Sequence, residues 1–205
     1  MRVYIGQSRG KKMNAILDAN GFGEMTVRAE YPNRRFPWAF DNGAFGDFNK
    51  KRVFQAVVYE KAVERLAADG ARPDFLVVPD IVAGGSASLD FSLCWVERLH
   101  TLAPLALAVQ DGMTDVEVTK VMGPFAFLFV GGSVEWKVRT GAQWVRLAHA
   151  YGKRCHIGRV GTPRRVRWAI RIGADSIDST QPLWSFGHMK RFVAAVRGDQ
   201  QEMFA

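Results

Sequence analysis

The chain has 205 residues, 48% of them hydrophobic and 23% charged, which suits one domain over 1–205 with a real core and excludes a low-complexity chain. A net charge of +8, from 28 Lys and Arg against 20 Asp and Glu, favours polyanionic partners through counterion release without requiring one. No window approaches the ~18 consecutive apolar residues of a membrane helix, and the apolar part of MRVYIGQSRGKK is too short for a secretory signal, so a cytoplasmic protein with no membrane partner is expected.

The first strand-like run, Val3–Ile5, leads into a helix-like segment at Lys11–Ala19. Thr26–Ala29 is the weakest strand and the place where the sheet is expected to be irregular; Trp38–Phe40 follows. A helix is predicted over Lys51–Ala68, where Val53, Val57, Val63 and Leu66 recur near the helical period. Phe75–Val78 then precedes a helix at Leu89–Leu102, Leu105–Val109 one at Asp115–Val121, and Phe125–Val130 one at Glu135–Tyr151. Cys155–Gly158 precedes a helix over Pro163–Ile172, opened by the Thr162-Pro163 cap and closed by Gly173. Ser176–Asp178 is the last strand before the helix Trp184–Val196.

Runs such as FLVV and FAFLFV are apolar throughout, as strands covered on both faces must be. Their alternation with helices predicts an α/β fold, a compact and irregular (β/α)8 TIM-type barrel, with a doubly wound open sheet as the competitor. Cys94 and Cys155 lie in apolar stretches and read as buried free thiols. With no CxxC pair, no HExxH and four scattered histidines, a metal site has little support.

The residues just past each strand end are more informative. WAF runs into Asp41-Asn42-Gly43, FLVVP into Asp80, LALAV into Gln110-Asp111-Gly112, FLFV into Gly131-Gly132-Ser133, CHI into Gly158-Arg159, and SI into Asp178-Ser179-Thr180. The carboxyl ends of parallel strands share one rim, where active sites form. Each residue also has a plain role: Asp41 and the Gly131-Gly132 pair can make turns, and Asp80 and Asp178 can cap helices. Asp175 reads as a loop carboxylate. Their joint placement favours chemistry. Two carboxylates at one mouth can divide nucleophile and acid/base duties at a sugar carbon. A third, with an amide and backbone N–H groups, can read a guanine edge.

These segments resemble the tRNA-guanine transglycosylase family over roughly residues 38–180. DNGAF at 41–45 is similar to its Asp-Ser-Gly-Gly-Phe motif, VQDG at 109–112 to Val-Gln-Gly-Gly, and VGG at 130–132 to its Gly-Gly loop. HIGRVGTPRRVRWAIRIGADSIDST at 156–180 resembles the Leu-Met-Gly-Val-Gly-x-Pro run leading to Gly-x-Asp-x-x-Asp. The resemblance implies Asp178 as nucleophile, Asp41 as general acid/base, and Asp80, Gln110, Gly131 and Gly132 as the base pocket. It further implies double displacement through a covalent nucleotide adduct, with no redox cofactor and no nucleoside triphosphate.

The zinc subdomain of the tRNA enzymes is absent from the sequence, and Asn42 stands where their motif has serine. This stripped form looks most like the compact phage enzymes that insert 7-deazaguanines into DNA, to which GGSVEWK at 131–137 and HIGRV at 156–160 are particularly similar. A phage enzyme would work in the host cytoplasm. The partners implied are DNA, with the target guanine flipped out or unpaired, and a small 7-deazaguanine base. A minimal tRNA enzyme, a non-catalytic nucleic-acid-binding subunit, a homodimer and a partner protein stay open.

Arg159 is the foremost phosphate candidate. Arg164, Arg167 and Arg171 share one helix face that either grips phosphate or is simply solvated. Trp38, Phe45 and Trp136 flank the mouth motifs as candidates for stacking or for core packing.

Overall fold

The computed structural model describes residues 1–8 and 10–198. Its eight strands are β1 (Arg2–Gly6), β2 (Gly23–Val27), β3 (Trp38–Asp41), β4 (Leu76–Val77), β5 (Leu105–Val109), β6 (Phe125–Val130), β7 (Arg154–Ile157) and β8 (Ser176–Ser179). They are all parallel and close in chain order, β8 pairing back onto β1 from Arg2–Ser176 to Ile5–Ser179. Helices α1 (Lys11–Asn20), α2 (Ala44–Asn49), α3 (Ala56–Ala68), α4 (Ser86–Leu93), α5 (Val96–Leu99), α6 (Asp115–Val121), α7 (Val134–Ala150), α8 (Pro163–Arg171) and α9 (Phe186–Arg197) surround the barrel. The expected compact (β/α)8 barrel is the architecture found. None of the described helices is long and apolar enough to cross a membrane.

Strand alternation sorts the core into two layers. Tyr4, Met25, Ala39, Phe75, Val77, Ala106, Ala108 and Phe127 fill the barrel interior. Their neighbours Val3, Ile5, Phe40, Leu76, Leu105, Leu107, Leu128 and Ile177 face the helices. Small alanines at interior positions 39, 106 and 108 make room for the rings of Tyr4, Phe75 and Phe127, Phe75 and Phe127 meeting at 4.6 Å between centroids.

Helix starts follow local chemistry. Thr114 and Glu117 form a reciprocal capping box at α6. Thr162 accepts from the Arg165 N–H ahead of Pro163, and Gly173 takes the left-handed conformation (φ +80°) after α8, as predicted.

Five expectations need correction. The strand predicted at Thr26–Ala29 lies earlier, at Gly23–Val27, and its links to β3 include Glu24 opposite Trp38. Gly23 lacks β-propensity but is required there, since a Cβ would sit 2.5 Å from the Pro37 carbonyl oxygen. The helix predicted from Lys51 starts at Ala56; Val53 is 82% exposed and Val57 62%, and the buried face is Tyr59, Ala62, Val63 and Leu66. The segment predicted as one helix over Leu89–Leu102 is split into α4 and α5. The helix predicted from Trp184 begins at Phe186, after a 3-10 turn at Gln181–Trp184. Cys155 is buried as expected, but Cys94 is exposed.

Candidate active site

The inward parity of each strand, continued past its end, delivers the polar residues to the mouth. Ala39 points inward, and so does Asp41 two residues on; Ala106 and Ala108 lead likewise to Gln110. On β8 the outward residue is Ile177, which turns Ser176 and Asp178 to the interior; on β7, outward Cys155 and Ile157 leave His156 inside.

Asp178 is held from two sides. Its Oδ1 accepts from the Arg159 backbone N–H at 3.0 Å and lies 2.9 Å from Nε2 of His156. Both contacts fall on the same oxygen, Oδ1. Gly158 is a glycine because a Cβ would sit 2.7 Å from the Phe129 ring and 3.4 Å from Oδ1 of Asp178. Arg159 has a left-handed backbone (φ +57°), a conformation costing roughly 1 kcal/mol outside glycine, and from it aims its N–H at the carboxylate. His156 is fully buried, and burial pushes it below the ordinary histidine range despite the neighbouring Asp178.

Asp41 sits at the end of β3, accepting from the Gly43 N–H at 3.0 Å. It makes the turn that its Asn-Gly sequel suggested and still faces the mouth. Burial raises its carboxyl to about 6; the negative charges of Asp178 and Asp80 add to this, and the Gly43 N–H and Arg159 oppose it. Asp41, Asp80 and Asp178 therefore share one electrostatic environment.

Asp80 is also raised by burial, opposed by two amide donors. Asn42 Nδ2 donates to its Oδ1 at 2.7 Å, and Gln110 Nε2 to its Oδ2 at 3.1 Å. Asn42 therefore acts as a brace between β3 and the β4 loop, donating to the Val78 carbonyl as well. Gln110 is committed rather than free. Its Nε2 also meets the Ile81 carbonyl and Ser88 Oγ, both at 2.8 Å, and its Oε1 accepts from the Ala83 N–H at 2.6 Å. It orients Asp80, whose second lone pairs remain for a ligand.

Arg159 spans the opening. Its guanidinium lies 3.8 Å from the Phe45 ring centroid and donates to the Gly132 carbonyl. Gly132 is left-handed (φ +68°), and a Cβ there would strike Asp111 and Trp136; the Gly131 N–H is engaged by the Val109 carbonyl at 2.8 Å. Arg164 is exposed and Arg167 half-buried on the outer face of α8, opposite buried Val166 and Ala169. Asp175 accepts from the Cys155 N–H and contacts His149 at the other end of the barrel, in the loop role expected of it. Trp38 and Trp136 are core residues, whereas Phe45 is exposed beside Arg159.

Two residues of the site had been legible only as members of motifs. One is His156. The other is Lys137, buried at 4% exposure, which donates to the Gly158 carbonyl and is brought to about 7 by burial and then by the charge of Arg159. Exposed Trp184 and Phe186, just after β8, extend the rim, and their signal was present in the sequence as aromatics following the Asp178 strand. Among the described residues no group of three or more His, Cys, Asp or Glu side chains could hold a metal ion. No protein-family model matches the chain, and no characterised protein matches it at a significant level.

Proposed function

We propose that this protein exchanges guanine in DNA for a 7-deazaguanine derivative, 7-cyano-7-deazaguanine or a relative, by double displacement through a covalent Asp178–nucleotide adduct. The observation that carries this reading is the delivery of Asp41 and Asp178 to one barrel mouth, close enough that the charge of Asp178 bears on Asp41. The two carboxylates are also differently equipped. Asp178 is anchored through one oxygen, and Asp41 is poised near neutrality to give and take a proton.

The chemistry follows from these placements. Oδ2 of Asp178 bonds to the anomeric carbon as the carbon–N9 bond breaks, and the electron pair leaves with guanine, which takes the proton of Asp41. The incoming base then loses its N9 proton to Asp41 and attacks the same carbon, and the Asp178–sugar bond breaks with its pair returning to the carboxylate. Two inversions give net retention. Asp80, braced by Asn42 and Gln110, accepts from the N1–H and exocyclic amine of the base. The base reaches these groups when the Arg159 side chain swings off Phe45 towards a phosphate. Phe45 is then uncovered for stacking.

Protein incubated with guanine-containing DNA and labelled 7-cyano-7-deazaguanine is expected to incorporate label, with tRNA as the parallel substrate. Incorporation into tRNA alone would move the assignment to the minimal tRNA enzyme. Binding without exchange on either would favour the non-catalytic subunit.

Arg159→Gly separates phosphate contact from nucleophile anchoring, because it keeps the backbone N–H and relieves the left-handed strain. The variant is expected to melt no lower than wild type and to bind single-stranded DNA several-fold more weakly. The slope of log affinity against log salt should flatten by about 0.7, the share of one phosphate contact. Fluorescence anisotropy across a salt series measures both quantities, and an unchanged slope would remove Arg159 from the DNA interface.

A further inference from the structure

We propose that His156 is a positioning residue for the nucleophile: as a neutral Nε2–H donor it holds Oδ1 of Asp178, leaves Oδ2 to attack, and receives charge on Oδ1 when the adduct breaks down. This rests on the transglycosylase reading above.

The tautomer follows from the partners. Nε2 of His156 lies 2.9 Å from the Asp178 carboxylate, which only accepts, and Nδ1 lies 2.8 Å from the hydroxyl of Ser176, which can donate. A neutral ring with its proton on Nε2 satisfies both contacts. The ring is locked in place: it stacks on Phe129 at 4.7 Å and 19°, and Phe75 and Tyr4 flank it at 5.1 and 6.0 Å. The charged groups bearing on it are Asp178 from β8 and Lys137 from α7.

The Arg159 N–H is the second donor to the same oxygen, so Oδ1 sits in a preformed two-donor seat. In the ester adduct, Oδ1 is the carbonyl oxygen. When the Oδ2–sugar bond breaks, negative charge returns to the carboxylate, and these donors are already aimed at it. Their contribution therefore falls on the second displacement more than on the first.

His156→Phe keeps the stack on Phe129 and removes the donor. It is expected to slow base exchange by about 100-fold while the fraction of enzyme held as covalent adduct rises. His156→Gln, which returns an N–H near the Nε2 position, should restore exchange to within about tenfold of wild type and clear the accumulated adduct. A proportional fall of adduct and exchange in His156→Phe, or no change in either, overturns the proposal, since a purely structural histidine lowers both together. Imidazole 15N spectra give a readout independent of activity: a neutral ring with its proton on Nε2 is expected at about pH 7.5, and a proton on Nδ1 instead overturns the assignment. If the wild type exchanges no base, the transglycosylase reading falls, and the spectra alone decide whether His156 holds Asp178.

Discussion

Asp178→Ala is expected to leave no covalent adduct on guanine-containing DNA and to lower base exchange by about 10,000-fold or more. The size follows from the division of labour at the mouth. Asp41 is held by the Gly43 N–H, and both oxygens of Asp80 are occupied by amides, so neither replaces a carboxylate seated on the Arg159 N–H and His156. Asp178→Asn is the companion variant. Its amide oxygen can still take the two donors, so the barrel should fold and bind DNA while the adduct is lost. Denaturing gels and intact mass spectrometry after incubation with DNA read the adduct directly. Exchange at the wild-type rate by Asp178→Ala would remove Asp178 from the chemistry altogether.

Asp41→Asn carries the second large effect, and pH gives it a signature. In the proposed exchange guanine departure needs Asp41 protonated, and its carboxyl is placed at about 6, so adduct formation should weaken as pH rises through that value. Attack by the incoming base needs the carboxylate and should weaken as pH falls through it. Exchange is therefore expected to be bell-shaped with its maximum near pH 6, both limbs being set by this one carboxyl. Asp41→Asn should flatten both limbs and cost roughly 100- to 10,000-fold in rate.

The same group links pH to stability. Its folded value of about 6 exceeds the ordinary 3.8, so its contribution is fully present below the ordinary value and is lost as pH rises through about 6. The difference corresponds to about 3 kcal/mol. A neutral amide in its place carries no such penalty. Urea unfolding should therefore find Asp41→Asn more stable than wild type by on the order of 2–3 kcal/mol at pH 8, and nearly equal to it at pH 4. Equal stabilities at both pH values would contradict the buried, charge-crowded setting of this carboxyl.

Much of the site was legible because strand parity is a local property. Once LALAV and FAFLFV are read as barrel strands, alternation and strand polarity send the next residues to one rim, and Gln110, Gly131 and Gly132 lie there. The α8 boundaries were legible for a similar reason, since Thr162-Pro163 and Gly173 act within one helical turn.

The misread elements depend on contacts distant in sequence. Gly23 belongs to a strand because the Pro37 carbonyl crowds it, and the outward face of Val53 and Val57 follows from where the chain leaves α2. Apolar periodicity alone carries neither fact.

Composition and pattern pointed to the barrel, with an open doubly wound sheet as its competitor, and to the carboxylates at the strand ends, because alternation, capping and strand polarity operate over a few residues; the closed strand order came from the structure. The division of roles among those carboxylates came from folding. Which oxygen of Asp178 is seated, that Gln110 is spent on Asp80, and that His156 and Lys137 lie buried near Asp178 depend on hydrogen bonds and desolvation between segments 19 or more residues apart. Only closure of the barrel brings those segments within bonding distance and excludes the water that would otherwise level their pKa values.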